Sequence, residues 1–137
     1  MLKPNKTKYT KIHKGRISPL VENKANKLKF GHFGIQALEC GRVDFYQIEA
    51  VRRVIISILK KRCKIWIRML ADHQMTAKPA ETRMGKGKGA INRWVCLVKS
   101  GKILYEISGA NNILIKQALI KAQAKFSIKT RVIGINE

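Results

Sequence analysis

The chain has 137 residues, of which 45% are hydrophobic. That length suits one domain with a real core, so full disorder is excluded and no disulfide or metal staple is needed. Lys and Arg number 29 against 8 Asp and Glu, a formal net charge of +21. A lone domain at that charge repels itself, and a dense polyanion, most commonly nucleic acid, is expected to neutralise it.

The first residues, MLKPNKTKYTKIHKGR, lack the apolar stretch of a secretory signal. They are acid-free, as mitochondrial transit peptides are, but Lys-rich rather than Arg-rich and without an apolar helical face. They are therefore expected to belong to the mature protein, either bacterial or made in the compartment where it works. Residues 1–29 form a basic arm carrying Lys3, Lys6, Lys8, Lys11, Lys14, Arg16, Lys24, Lys27 and Lys29 against the single acid Glu22. Sparse apolar residues without a period predict an extended segment, ordered only against a partner.

Residues 30–137 are expected to form a single globular domain. Residues 29–38, KFGHFGIQAL, read as a strand whose glycines mark a bulge or a close backbone approach. Cys40-Gly41-Arg42 reads as a turn. Asp44 and Gln47 have capping-box spacing, and Ile48, Val51, Ile55 and Leu59 make an apolar helical stripe. Arg53, Lys60 and Lys61 lie off that stripe, and Glu49 with Arg53 forms an i,i+4 pair. Residues 64–69, KIWIRM, alternate as a strand, with Ile65, Ile67 and Met69 on one face and Lys64, Trp66 and Arg68 on the other.

Residues 70–92 show no period and contain Pro79 and MGKGKG, and they are expected to form one long protruding loop. Residues 93–99 are apolar on both faces, which suits a central strand. Ser100-Gly101 reads as a hairpin turn into a return strand over 102–107. Asn111 or Asn112 caps a second helix with Ile113, Ala118, Leu119 and Ala122 inward and Lys116, Lys121 and Lys125 outward. Residues 127–133 close the domain as a strand. The pattern gives an α+β fold, two helices packed on a mostly antiparallel sheet.

Among candidate chemistries, the stretch Arg83-Met84-Gly85-Lys86-Gly87-Lys88-Gly89 comes first. Its glycines let backbone approach a phosphate and its lysines add point charges. A Walker A loop would need G-x-x-x-x-G-K-[ST], which is absent, so a nucleotide-handling enzyme has weak support. A finger along a phosphate backbone and a solvated loop both fit, and the length of the flanking stretch favours the finger. The basic arm is read as a contact segment, because tails made for solubility are usually acidic. Tyr9 and His13 offer rings for stacking. Trp66 fits either stacking on RNA or a core position, with the core reading ahead.

Cys40, Cys63 and Cys96 include no C-x-x-C, and His13, His32 and His73 are isolated, so no metal site and no cofactor are expected. The cysteines read as reduced core or surface thiols. No paired carboxylates or triad pattern stands out, so no catalytic residues are assigned. A peripheral membrane role would need bulky apolar residues exposed beside the cations. The helices are instead committed to the core, and membrane insertion is not expected.

These residues resemble a known family: the universal large-subunit ribosomal protein number sixteen of bacteria and organelles, counterpart of the ten-e protein of archaea and eukaryotes. The matching runs include KTKY and HKGR in the arm, FG-FG at 30–34, QIEAVRR at 47–53 and KIWIR at 64–68. KPAETRMGKGKG at 78–89 and GKILYE at 101–106 continue the order along almost the whole chain. The resemblance implies a hammerhead-like α+β domain that is not an enzyme. It also implies binding to large-subunit rRNA near the aminoacyl-tRNA site, contact with neighbouring ribosomal proteins and proximity to A-site tRNA. The Gly/Lys loop would reach toward the peptidyl-transferase region. In some bacterial members the arginine ahead of this motif is hydroxylated, and Arg83 holds that place.

The cations expected to meet RNA are Lys3, Lys6, Lys8, Lys11, Lys14 and Arg16 of the arm, then Arg42, Arg52, Arg53, Lys60, Lys61, Lys64 and Arg68. Lys78, Arg83, Lys86 and Lys88 follow in the loop, where Gly85, Gly87 and Gly89 permit close approach. Stretches 17–27 and 108–117 depart from the common bacterial pattern. Richness in Lys, Ile and Asn suits an AT-rich gene of an organelle. The mitochondrial matrix is expected first, with plastid stroma or bacterial cytoplasm as alternatives.

Overall fold

The structure, a computed structural model, describes residues 3–60 and 62–135. In chain order the elements are β1 (Phe33–Ala37), β2 (Gly41–Asp44), α1 (Phe45–Leu59), β3 (Lys64–Ile67), β4 (His73–Ala77), β5 (Ala90–Val98), β6 (Ile103–Ser108), α2 (Asn112–Gln123) and β7 (Thr130–Gly134). The strands form two sheets, β3-β6-β1-β7 and β2-β5-β4. Every pairing is antiparallel. The α+β class expected from the pattern is thus the observed one, with two sheets where a single sheet was expected.

Helix α1 starts where its sequence says. Asp44 is extended and closes a capping box with Gln47, whose side-chain oxygen accepts from the Asp44 N–H at 3.1 Å. Ile48, Val51, Ile55 and Leu59 are its buried residues. Each contributes roughly 1.5–3 kcal/mol by leaving water. The helix ends on Lys60 in the left-handed region, φ 48°. It packs against α2, β2 and β5, while α2 packs on β1 and β7. The core therefore lies between the helices and the inner sheet faces, with Ile35, Tyr105, Ile107, Val43 and Val98 from the strands.

Helix α2 is capped by Asn111, whose Oδ1 accepts the Ile113 N–H at 3.0 Å. Its buried residues are Ile115, Ala118, Leu119 and Ala122. Ile113, expected inside, is 68% exposed. With the cap at Asn111, Ile115 holds the i, i+3, i+4, i+7 register and Ile113 sits on the outer side.

Three local expectations are corrected. Gly41 and Arg42 are not a turn but the start of β2, paired with Val98 and Leu97 of β5. Residues 70–92 are not one loop: β4 lies within them, β5 begins at Ala90, and the loop proper is 78–89. The pattern hid β4 because His73, Gln74 and Thr76 are polar, although Gln74 is buried and bonded to Thr7 of the arm. Ser100-Gly101 is not a hairpin. Gly101, at φ +82°, donates its N–H to Ala37 O at 2.8 Å. Ser100 O accepts from the Glu22 N–H at 2.8 Å. Pinned by β1 and the arm, the chain crosses from one sheet to the other. Strand β5 is the central strand expected, but of the three-stranded sheet.

Of the two readings of the first strand's glycines, an irregular register is met just past them, where the β1–β6 pairing shifts between Ile35 and Gln36. The close approach is present too, since a Cβ on Gly31 would stand 2.7 Å from the Ile107 backbone.

Candidate nucleic-acid interface

Residues 3–32 contain no helix or strand, yet they run over both sheets. The first half of the arm lies on the three-stranded sheet. Gln74 Nε2, on β4, donates to Thr7 Oγ1 at 3.2 Å and to Tyr9 O at 3.4 Å. His73 Nε2 is 3.0 Å from Lys14 O. Arg42 Nη2, on β2, donates to Gly15 O at 2.9 Å. The glycine-lysine loop is tied to the same stretch: Lys11 Nζ donates to Lys88 O at 3.0 Å, and Lys88 Nζ donates to Ile12 O. Lys78 Nζ closes the loop on itself by donating to Gly85 O.

These bonds gather the expected cations. Lys3, Lys6, Lys8, Lys11, Lys14 and Arg16 are exposed on the arm, and Lys78, Arg83, Lys86 and Lys88 are exposed on the loop beside it. The carboxylate sharing that loop is Glu81. Gly85 and Gly87 have positive φ and open space where a Cβ would be. Lys86 between them is also left-handed, φ 56°. Gly89 differs: a Cβ there would stand 2.4 Å from Ala77 O. Its backbone approach is to β4, at the closed end of the β4–β5 pair.

The second half of the arm lies on the four-stranded sheet, on the face opposite the helices. Its anchor is Glu106 of β6, fully buried. Glu106 Oε2 accepts three successive backbone N–H groups, from Lys29 at 3.0 Å, Phe30 at 2.6 Å and Gly31 at 2.9 Å. Its Oε1 accepts from Arg68 Nη1 at 2.6 Å, and Arg68 Nη1 also donates to Lys27 O at 2.7 Å. Burial works against the charge on Glu106. The N–H groups of Phe30, Gly31 and Lys29 and the Arg68 guanidinium outweigh it and hold the carboxyl below its ordinary range. Gln36 adds a second polar knot: Nε2 donates to Gly101 O at 2.7 Å and to Asn26 O at 3.3 Å, while Arg131 Nε donates to its Oε1 at 2.8 Å.

The remaining expected cations divide by their partners. Arg68 has a side chain only 13% exposed and is committed to Glu106. Arg52 forks onto Glu49 at 2.9 and 2.6 Å, and Arg53 reaches the same carboxylate at 3.1 Å. Hydrogen bonding from Arg52 leads in drawing the Glu49 carboxyl down to about 2. Lys60 and Lys64 are exposed, whereas Lys61 lies outside the described residues. Trp66 is not a core residue: it is half-buried on β3 and stacks with Phe30, ring centres 6.0 Å apart and planes at 21°. Cys40 is exposed, Cys63 half-buried and Cys96 buried, all three as free thiols.

Sequence reasoning missed Glu106, Gln74 and Phe30. Glu106 left one signal, an acid within an apolar strand of an acid-poor chain. Gln74 left none, because the groups it bonds are remote in sequence. Among the described residues no group of three His, Cys, Asp or Glu side chains gathers as a metal site, and no helix is long and apolar enough to cross a membrane.

Fold and charge together define a strongly basic α+β protein whose arm and loop share one face. The chain belongs to the family Ribosomal protein L16p/L10e, whose model matches residues 4–133. It is 46% identical over 133 residues to large ribosomal subunit protein uL16 of Sinorhizobium fredii, covering 97% of this chain and 96% of that protein. Large ribosomal subunit protein uL16c of Cyanidium caldarium is 47% identical over 137 residues, 100% of this chain and 97% of its own length. The uL16 of Psychrobacter cryohalolentis is 46% identical over 133 residues. The resemblance carried by the sequence motifs and the family match therefore agree.

Proposed function

We propose that this chain is a structural, non-catalytic constituent of the large ribosomal subunit that binds large-subunit rRNA beside the aminoacyl-tRNA site, with neighbouring ribosomal proteins and A-site tRNA close by. The observation that carries the RNA-binding part is the union of arm and loop: exposed cations from 3–16 and 78–88 are hydrogen-bonded into one surface over the three-stranded sheet. Lysines there neutralise phosphates as point charges, and the open, left-handed Gly85 and Gly87 let backbone come close to a strand. Specificity then comes from RNA shape, which a fixed arm-and-loop surface is suited to read.

The family and the loop's exposure support a site near the peptidyl-transferase region of the subunit. The compartment proposed first is the mitochondrial matrix, on the Lys-, Ile- and Asn-rich composition, with plastid stroma and bacterial cytoplasm as the alternatives. The test is sucrose-gradient fractionation of the native source, with the chain followed by mass spectrometry and the RNA beside it sequenced. Co-migration with a large subunit is expected, and the RNA names the compartment. Free protein at the top of the gradient in low and moderate salt alike overturns the proposal. So does normal subunit incorporation of a variant lacking 1–16 and carrying Lys86→Ala and Lys88→Ala.

A further inference from the structure

Phe30 is 57% exposed, although it belongs to the most tightly held stretch of the arm. Three consecutive backbone N–H groups, its own among them, bind the buried Glu106 carboxylate. Phe is among the residue types most often fully buried. Here the ring is held outward and stacked on Trp66, which stands on β3, an edge strand of the four-stranded sheet. Two cations flank the pair. Lys64 Nζ lies 5.2 Å from the centre of the Trp66 ring, and the Arg68 guanidinium carbon lies 5.9 Å from the centre of the Phe30 ring. Lys29, next in the chain, is exposed as well.

The geometry points to a stacking platform for an unpaired base of RNA, made by Phe30 and Trp66 between Lys64 and Arg68 and separate from the arm-and-loop surface. A base has a π face whatever its identity, so an exposed ring on rigid backbone offers it a partner without loss of ring freedom on binding. Arg68 is tied to Glu106 and Lys27 O, so it supports the Phe30 ring rather than reaching for phosphate. Lys64, whose Nζ lies beside the Trp66 ring, is an exposed cation placed to meet a phosphate next to a stacked base. A duplex hides its base faces and gains nothing from the platform beyond charge. The inference rests on the RNA-binding reading above and adds a second contact, on the four-stranded sheet.

The chain has two tryptophans, Trp66 and Trp94. In full-length Trp94→Phe protein, the indole fluorescence therefore reports on Trp66. It is titrated at fixed salt with a short oligoadenylate, with an RNA duplex of equal phosphate number, and with polyglutamate. The single strand is expected to quench Trp66, and the other two are not. Phe30→Leu keeps apolar bulk but removes the π face, and is expected to weaken oligoadenylate binding about tenfold with the salt slope unchanged. Phe30→Tyr is expected to restore it, and an unchanged urea unfolding midpoint of both variants checks that each is folded. Equal quenching by duplex or polyglutamate overturns the platform while leaving RNA binding in place, as does a Phe30→Leu affinity equal to the parent's. Failure of the protein to bind any RNA overturns both readings.

Discussion

The two halves of the arm are both basic, with six cations and no acid at 3–16 and three cations against Glu22 at 22–31, and both lack regular structure, yet they are held in different ways. Residues 3–16 are seated by scattered side-chain bonds, from Lys11, Lys88, His73 and Arg42 and from the buried Gln74. Beneath that half, Arg42 Nε and Gln74 Oε1 are buried without a hydrogen-bond partner among the described residues. Residues 22–31 instead join the sheet through their own backbone. Glu22 N–H donates to Ser100 O, Ile103 N–H donates to Ala25 O, and three N–H groups converge on Glu106. Basic composition alone does not decide how firmly a segment is held to the domain. A buried carboxylate facing successive amides does, because its charge has no lower-energy place to go once water is gone.

The largest way to break this contrast is Glu106→Gln. The amide leaves backbone N–H groups short of an acceptor and Arg68 without its counter-charge. Urea unfolding is expected to show a loss of about 3 kcal/mol. Hydrogen exchange should speed up at Lys29, Phe30 and Gly31 while residues 7–16 stay as they were. If the two halves loosen together, the arm is one unit and the contrast fails.

Acid probes the same anchor. Glu106 has a lowered pKa in the fold, so its contribution is present above the unfolded carboxylate value of about 4.3 and is lost as pH falls toward the folded value. The urea midpoint should drop steadily below about pH 5, and more steeply in the parent than in Glu106→Gln. Glu49, drawn to about 2 mainly by Arg52, contributes in the same direction. Its pair is partly exposed, and screening keeps its share under about 1 kcal/mol.

Tyr105→Phe sets a scale for one buried hydrogen bond on the helix side of β6. The Tyr105 hydroxyl donates to Ile48 O at 2.6 Å, and its loss is expected to cost about 1 kcal/mol without touching either half of the arm. The smallest effect belongs to the first half. Gln74→Ala removes its ties to Thr7 and Tyr9 and should lower stability by under about 1 kcal/mol. Its readout is faster exchange and proteolysis within residues 7–16, with 22–31 unchanged. A drop as large as that of Glu106→Gln would show that the first half carries the fold.

What the sequence by itself determined is local or chemical in kind. The capping box and apolar stripe of α1, a cap at Asn111 or Asn112, and the basic arm and loop all rest on neighbouring residues. So does the family, because its motifs are runs in a fixed order. Tertiary structure decided what depends on residues far apart. Strand β4 is one case, since Gln74 reads as polar surface until its bonds to Thr7 and Tyr9 are seen. The crossing at Gly101, which splits one expected sheet into two, is fixed by Ala37 and Glu22. Arg68 reads as a free cation until Glu106, thirty-eight positions on, takes its charge. The same carboxylate turns the second half of the arm into part of the domain and leaves Phe30 facing out. Periodicity records which side of an element is apolar. It does not record which remote backbone will bring its amides to a buried acid, and that meeting set the shape of this protein's surface.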